Sequence, residues 1–308
     1  MMEYRGGRVS LKQGHARGEH RVWPSGRIHG AEAMRRKKPC AGSTTVAVTL
    51  AVFLLFFTLI TLYLFAAKYW RPPDPITSFG REIDQQFART FLITGIVFVL
   101  SQLALGWVVF RFRDTGGRAT FSHGNTTMEV LWTLATLVLF VGLGIYAERA
   151  WAEVHFRGAA PGALQIEVQG QQFKWYFRYP GPDGKFGRTD AQYVKDSAQN
   201  FFGLDPNDPA GKDDIVTPVV AVPVNREVEL ILRSKDVTHS FFVRELRLKQ
   251  DAVPGMLIHI HFTPMQVGQY EIACAELCGL GHHQMRSFLQ VLSDADYQNW
   301  LREQAANQ

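Results

Sequence analysis

Three long apolar stretches constrain this chain more than any other feature of its sequence. Residues 45–67 and residues 91–110 contain no charged side chain, and residues 128–147 contain a single acid, Glu129. The hydrocarbon core of a bilayer is about 30 Å thick and needs about 20 helical residues, so each stretch is long enough to cross a membrane. Core helices of soluble proteins are usually shorter and keep a polar face. The sequence therefore predicts up to three membrane spans.

Charged residues are distributed unevenly and predict the orientation of these spans. Residues 1–44 hold ten Lys and Arg against three Asp and Glu, whereas residues 151–308 hold 15 against 19. Because basic flanks favour the cytoplasmic side, the arm should remain in the cytoplasm, and everything after the third stretch should lie outside. The folded part carries no basic stripe, so a nucleic-acid partner is not expected.

The N-terminal region leaves two alternatives open. Residues 1–44 lack apolar periodicity and are predicted to be a disordered arm, in which either Met1 or Met34 could be the true start. Residues 45–67 read either as a first transmembrane helix or as a signal peptide cleaved near Ala66 and Ala67. Residues 68–150 then form a transmembrane hairpin under both alternatives.

Residues 151–293 predict an all-β domain. Alternating or β-rich stretches are separated by turn clusters, and they occur at residues 165–168, 173–179, 228–232, 257–262, 270–274 and 288–292. Short strands at this spacing suggest a sandwich or a small barrel. Residues 294–308 predict a surface helix and tail, with Asp294 as the capping residue.

The chemistry is concentrated in one loop that follows a predicted strand. Cys274, Cys278, His282 and Met285 fall within twelve residues, and His239 opens another strand upstream. Thiolate, imidazole and thioether donors together suit copper better than calcium or magnesium. A disulfide would leave the histidine and the methionine unexplained, and the C-x3-C spacing lies outside the usual zinc patterns. We therefore predict a copper site.

At these residues the sequence resembles subunit II of cytochrome c oxidase. The family pattern C-x-E-x-C-G-x-x-H-x-x-M is matched from Cys274 to Met285, and the H-S-F element at His239 and the segment at residues 249–255 match as well. The resemblance implies a membrane helical hairpin followed by an all-β cupredoxin-like barrel, with residues 45–67 as an extra helix or signal peptide. It also implies a bacterial plasma membrane with the barrel on the outer, periplasmic face.

The resemblance implies a dinuclear copper centre, CuA. Its ligands would be two bridging thiolates, one imidazole on each copper and one weak ligand on each copper: Cys274, Cys278, His239, His282, Met285 and the backbone carbonyl of Glu276. The carboxylate of Glu276 would face a magnesium site at the junction with subunit I.

The implied function is electron input into a terminal respiratory oxidase embedded in membrane lipid. Cytochrome c would deliver electrons to the copper centre, and subunit I, the haem-copper partner, would reduce oxygen to water. Subunit III would be a further partner. This chain has no haem motif such as C-x-x-C-H, so the oxygen chemistry belongs to the partner. The alternatives are a CuA subunit of a nitric oxide reductase and a non-catalytic membrane module for copper delivery.

Three further expectations concern electrons, protons and the donor. Residues 170–180 are similar to the family's aromatic segment, in which the first of two tryptophans receives electrons. Phe173 stands at that position here and Trp175 at the second, so both are candidates and the identity of the donor is open.

Glu129 matches a glutamate at the entrance of a proton channel, although a helix dipole explains it equally well. The acidic excess predicts a face that steers a basic cytochrome c, with scattered surface charge as the alternative.

Overall fold

The computed structural model describes residues 44–67, 71–115, 117, 120–121 and 123–307. Within them, three helices precede the β-domain: α1 (Thr44–Ala66), α2 (Ser78–Arg111) and α3 (Thr126–His155). All three are long and apolar enough to cross a membrane. The expectations for the basic arm and for a start at Met34 lie outside the described residues.

Helices α2 and α3 are longer than the apolar stretches that predicted them. Thr77 caps α2 by accepting a hydrogen bond from the backbone N–H of Gly80, well before the apolar stretch begins at residue 91. Asn125 caps α3 in the same way through Met128. Polar helical turns therefore extend both helices beyond their apolar spans. At the N-terminal ends, the capping side chains accept hydrogen bonds from backbone N–H groups, which membrane lipid would leave without a partner.

The β-domain is a sandwich of two five-stranded sheets. Its strands are β1 (Leu164–Gln171), β2 (Lys174–Tyr179), β3 (Ile215–Thr217), β4 (Val220–Pro223), β5 (Val228–Ser234), β6 (His239–Val243), β7 (Leu248–Ala252), β8 (Ile258–Phe262), β9 (Gly268–Cys274) and β10 (Arg286–Leu292). The first sheet has the order β3-β2-β1-β5-β8 and the second the order β4-β10-β9-β6-β7. Pairs β1–β5 and β4–β10 are parallel and the other pairs are antiparallel. The predicted cupredoxin-like fold is confirmed.

A continuous apolar core lies between the sheets. Its fully buried side chains include Ile166, Val168, Phe177, Leu230 and Leu232 from the first sheet and Phe241, Ile272, Leu289 and Val291 from the second. Alternate strand residues point to opposite faces, so each strand contributes every second side chain to this layer. The core is thus built by the alternation that the sequence displays.

The membrane helices meet the sandwich at one end. The guanidinium of Arg247 contacts both carboxylate oxygens of Asp84 at 2.7 and 2.9 Å and donates to the carbonyl of Pro73 at 2.6 Å. Beyond α3, Arg157 pairs with Glu227 at 2.8 Å, just before β5 begins. Both ends of the hairpin are therefore tied to the same end of the β-domain.

The C-terminal segment forms helix α4 (Asp294–Ala306), as the sequence predicted, but its cap differs from the prediction. Ser293 is the capping residue, and its side chain accepts a hydrogen bond from the backbone N–H of Asp296. Asp294 lies in the first turn instead, where its negative charge favours the helix dipole. The assignment of Asp294 as cap was wrong by one residue.

Candidate metal centre

Strand directions bring the predicted ligands to one end of the sandwich. Strand β9 ends at Cys274 and its partner β6 begins at His239, so both residues lie at the end opposite the membrane helices. The loop then returns to the sheet through a 3-10 turn at His282–Gln284 and enters β10. The backbone N–H of Cys274 donates to the carbonyl of Met285 at 3.1 Å, which closes the loop.

The two cysteine thiols are the centre of the cluster. Their sulfur atoms lie 3.9 Å apart, and both cysteines are buried and free. A disulfide requires about 2.05 Å between the sulfurs, so the thiols are not bonded to each other. The nitrogen of His239 and both sulfurs lie within 4.8 Å of one another, as a shared metal site requires.

Each thiol has its own set of neighbours. The sulfur of Cys274 lies 3.9 Å from Nδ1 of His239 and 3.2 Å from the backbone oxygen of Glu276. The sulfur of Cys278 lies 3.6 Å from Nδ1 of His282 and 3.7 Å from the sulfur of Met285. The two thiols therefore lie side by side, and each has one imidazole and one weak donor of its own. Sulfur and imidazole donors of this kind fit a soft metal such as copper better than a tetrahedral zinc.

Neighbouring groups give the two cysteine thiols different pKa values. Burial opposes ionisation of Cys274, but hydrogen bonds with His239 and with backbone groups outweigh it and lower the pKa of this thiol to about 6. Burial raises the pKa of Cys278 to about 11, and the charge on Cys274 adds to the rise. One thiolate is therefore available at neutral pH, and a bound cation would favour the second.

Asp236 holds His239 in place through a hydrogen bond, although no role for Asp236 was predicted from the sequence. Burial lowers the pKa of His239, but hydrogen bonds with Cys274 and Asp236 outweigh burial and raise it. Asp236 also accepts from the backbone N–H of Gln172 at 2.8 Å, while the side-chain amide of Gln172 donates to the carbonyl of Cys278. The D-x-x-H spacing is the signal that could have identified this pair, because it places a carboxylate within reach of an imidazole three residues later.

Phe173 packs on the glycines of the metal loop. A Cβ atom added to Gly279, where φ is +137°, would lie 3.1 Å from the Phe173 ring, and one added to Gly281 would overlap that ring more severely. Two features therefore favour glycine at position 279. Its φ lies in a region that L side chains rarely adopt, and a side chain here would crowd the Phe173 ring. Because both positions are glycine, the Phe173 ring from the β1–β2 turn can pack directly against the loop.

Trp175 occupies a different position from Phe173. Its side chain is buried, and its ring lies edge-on to His239 at 5.9 Å and to Phe241 at 5.7 Å between centroids. A partner protein cannot touch a buried ring, whereas Phe173 is only partly buried. Of the two aromatic candidates, only Phe173 has an exposed surface that an electron-donating protein could contact.

His259, His261, His283 and Glu129 lie outside the cluster. His259 contacts Glu229 at 2.9 Å and His261 contacts Glu227 at 3.1 Å, while His283 is exposed. Glu129 lies in the first turn of α3, at the end of the hairpin that is remote from the β-domain. The distance along a helix of this length is about 40 Å, so Glu129 cannot act on the metal cluster directly.

The chain is similar to known proteins over most of its length. The family model described as cytochrome c oxidase subunit II, periplasmic domain, matches residues 164–292. The alternative cytochrome c oxidase subunit 2 of Bradyrhizobium diazoefficiens is 37% identical over 265 residues, which cover 84% of this chain and 92% of the relative. The probable cytochrome c oxidase subunit 2 of Rickettsia bellii is 31% identical over 212 residues, which cover 68% of this chain and 74% of the relative.

One solved structure resembles the β-domain alone. The crystal structure of the periplasmic domain of subunit II of cytochrome oxidase of Bradyrhizobium japonicum is 27% identical, with a TM-score of 0.36. The match covers 48% of this chain and 97% of that one.

Proposed function

Since this chain belongs to the family of cytochrome c oxidase subunit II, we propose that it is the electron-input subunit of a terminal respiratory oxidase. It accepts electrons from cytochrome c at a dinuclear CuA centre and passes them to the haem-copper subunit I, which reduces oxygen to water. One observation carries the proposal: two free thiols lie 3.9 Å apart, and each has its own imidazole and its own weak donor.

In this proposal the cluster holds two copper ions. Cys274, Cys278, His239 and His282 would hold the ions, with Met285 and the backbone carbonyl of Glu276 as weaker donors. A copper pair that shares two thiolates spreads one electron over both ions, so little has to reorganise during transfer. The protein contributes a buried pocket and a fixed geometry, which Asp236 and the packed glycine loop maintain.

Phe173 is the point where electrons enter the chain in this proposal. It is the aromatic side chain that combines partial exposure with direct contact to the metal loop. Trp175 lies beneath the surface against His239 and serves as packing for that ligand. The donor's haem edge would thus approach the loop through Phe173.

Further roles follow at the two ends of the molecule. The exposed carboxylate of Glu276 would help to hold a magnesium ion at the junction with subunit I, and Glu129 would stand at the entrance of a proton channel into that subunit. Subunit III completes the membrane complex. The chain crosses a bacterial plasma membrane with its β-domain on the outer face, which agrees with the bacterial relatives and with the hairpin tied to that domain.

The test is purification of the native complex through a tag on this chain. We expect a mixed-valence EPR signal with coupling to two copper nuclei and oxygen consumption with reduced cytochrome c. A signal from a single tetragonal copper would contradict the CuA assignment. Nitric oxide consumption without oxygen consumption would instead indicate a reductase, and bound copper without turnover would indicate a delivery module.

A further inference from the structure

A cavity opens at the edge of the first sheet, where strand β2 extends beyond its neighbour β3. Strand β3 pairs only with residues 177–179, so residues 174–176 pair with β1 on one side and with no described strand on the other. After β3 the chain turns at Pro218 toward the second sheet, and proline has no backbone N–H with which to extend the ladder. The space left beside β2 has a volume of about 520 Å³, and we name it the edge cavity. Its lining includes Lys174, Trp175, Tyr176, Phe201, Thr217 and Arg286.

The charged side chains that line the edge cavity are basic. They are Lys174 on β2 and Arg286 at the start of β10, and no acidic side chain of the described residues lines the cavity. Within the described residues Lys174 forms no ion pair, and Glu271 engages only Nη1 of Arg286, at 3.4 Å. A guanidinium carries more N–H donors than this contact uses, so Arg286 retains donors for a ligand. The cavity therefore has a positive charge that favours an anion.

Trp175 contributes a buried donor to the edge cavity. It is 1% exposed, and in the part of the chain that the structure describes its Nε1 atom has no hydrogen-bond partner. The other edge of the indole faces β1, because a Cβ atom added to Gly170 would lie 3.1 Å from Cζ3 of Trp175. Nε1 and Cζ3 stand on opposite edges of an indole, so the N–H points toward the β3 side, where the cavity lies. A buried N–H without an acceptor is unfavourable, and a ligand oxygen in the cavity would supply one.

The size and the walls of the edge cavity fit an organic anion. Its volume lies within the range of about 300 to 1,000 Å³ that is usual for small-molecule sites. Tyr176 and Phe201 stack with 3.8 Å between their ring centroids and form an apolar wall. Burial raises the pKa of Tyr176, and the charge of Asp196 adds to the rise, so the phenol is uncharged at neutral pH. Asp196 itself is paired with Lys235 at 2.6 Å. The cavity thus combines an apolar wall with donors for negatively charged oxygens.

We propose that the edge cavity binds a small organic anion through a phosphate or carboxylate group. Lys174 and Arg286 supply the positive charge, and Nε1 of Trp175 donates a hydrogen bond to an oxygen of that group. Charge-assisted hydrogen bonds of this kind are about twice as strong as neutral ones. The site adjoins the candidate metal centre, since the ring of Trp175 also lies edge-on to His239 at 5.9 Å. It shares no residue with the proposed copper ligands and goes beyond the proposed function.

The experiment is equilibrium dialysis of the detergent-solubilised full-length chain without copper. The probes are radiolabelled inorganic phosphate and radiolabelled citrate, and sodium chloride keeps the ionic strength constant. We expect a single bound anion per chain, and the probe with the lower Kd shows whether the site prefers the phosphate or the carboxylate group.

Two site variants and a control locate the bound anion. Trp175→Phe should raise Kd about tenfold, because it keeps the aromatic packing and removes a hydrogen bond to a charged group. Lys174→Gln should raise Kd about threefold, because an exposed positive charge is lost. The matched control is Lys185→Gln, at an exposed lysine outside the cavity, and its Kd should equal that of the wild type.

Three outcomes would overturn the proposal. They are the absence of binding of either anion to the wild type, an unchanged Kd in a folded site variant, and an equal rise of Kd in Lys185→Gln. The last would mean that the anion responds to overall charge and not to the cavity. Lys174 is exposed and takes no part in the core, so Lys174→Gln decides the matter even if Trp175→Phe does not fold. The measurement involves neither copper nor electron transfer, so its result does not depend on the proposed function.

Discussion

Asp236 and His239 are joined by a hydrogen bond of 2.8 Å between a carboxylate oxygen and Nε2 of the imidazole. The other ring nitrogen, Nδ1, faces the sulfur of Cys274 at 3.9 Å. An imidazole that donates one N–H to a carboxylate presents its second nitrogen as an unprotonated donor, and its ring cannot rotate freely. The orientation of the His239 ring toward Cys274 therefore depends on Asp236, which is not itself one of the predicted ligands.

Replacing Asp236 should weaken metal binding. We expect Asp236→Ala to lower copper affinity about 10- to 100-fold, because the ring of His239 loses its orienting partner. The measurement is chelator competition on the detergent-solubilised full-length chain, followed by visible absorption. Asp183→Ala is the control, since Asp183 is exposed and only accepts from the backbone of Lys185. Equal affinities in the two variants would contradict an orienting role.

Replacing Gly281 should disturb the metal loop through Phe173. A methyl group at Gly281 overlaps the Phe173 ring, so Gly281→Ala should force a shift that destabilises the protein by about 1 to 3 kcal/mol. The apparent melting temperature and the copper content of the full-length chain measure this. The double variant Gly281→Ala with Phe173→Ala should recover part of the loss. No recovery would mean that the ring is not the obstacle.

Two of the three predicted sulfur ligands, Cys278 and Met285, should respond differently to substitution. Cys278→Ser should abolish the dinuclear signal, because in the proposed centre this sulfur binds both copper ions; it lies 3.9 Å from the sulfur of Cys274 and 3.6 Å from His282. Met285→Leu should retain both coppers and shift the reduction potential, since only a weak donor to one half-site is lost. EPR and redox titration of the full-length chain distinguish these results. A retained dinuclear signal in Cys278→Ser would exclude a bridging role for this residue.

Stability should fall as Asp214 ionises. Burial raises the pKa of Asp214 to about 6 from 3.8, although Arg178 and the backbone N–H of Gly187 oppose the rise. The folded state then binds the proton more tightly than the unfolded state. The stabilisation is complete below the unfolded pKa and is lost as the pH rises through about 6. At about 1.4 kcal/mol per pKa unit, the loss is about 3 kcal/mol.

The comparison with Asp214→Asn isolates this effect, because asparagine does not titrate. The stability of the wild type relative to Asp214→Asn should decrease between about pH 4 and about pH 7, as measured by denaturation of the full-length chain. The opposite trend would mean that the ion pair with Arg178, at 3.3 Å, outweighs the burial of the carboxylate.

The helices and strands with a clear local pattern, either a long apolar stretch or an alternation of side chains, were predicted from the sequence. Six strands were recognised from alternation or β-rich composition, the start of a seventh, β6, was placed at His239, and helices α1 to α3 were recognised from their apolar length, whereas β3, β4 and β7 were not predicted. Strand β4 was missed because all four of its residues are buried, so it shows no alternation. The cap of α4 was misplaced because Ser293 and Asp294 are both good capping residues, and only the backbone conformation distinguishes them.

The sequence by itself determined the class of fold and the chemical types of the metal ligands, since apolar length and ligand spacing are properties of consecutive residues. Only the tertiary structure decided which side chains meet: that Asp236 orients His239, that Phe173 rather than Trp175 reaches the surface, and that Arg188 and Lys235 neutralise nearby acids. These relationships join strands and loops distant in sequence. Charge counts and aromatic motifs carry no distances, whereas packing and ion pairing act only between groups that the fold brings into contact.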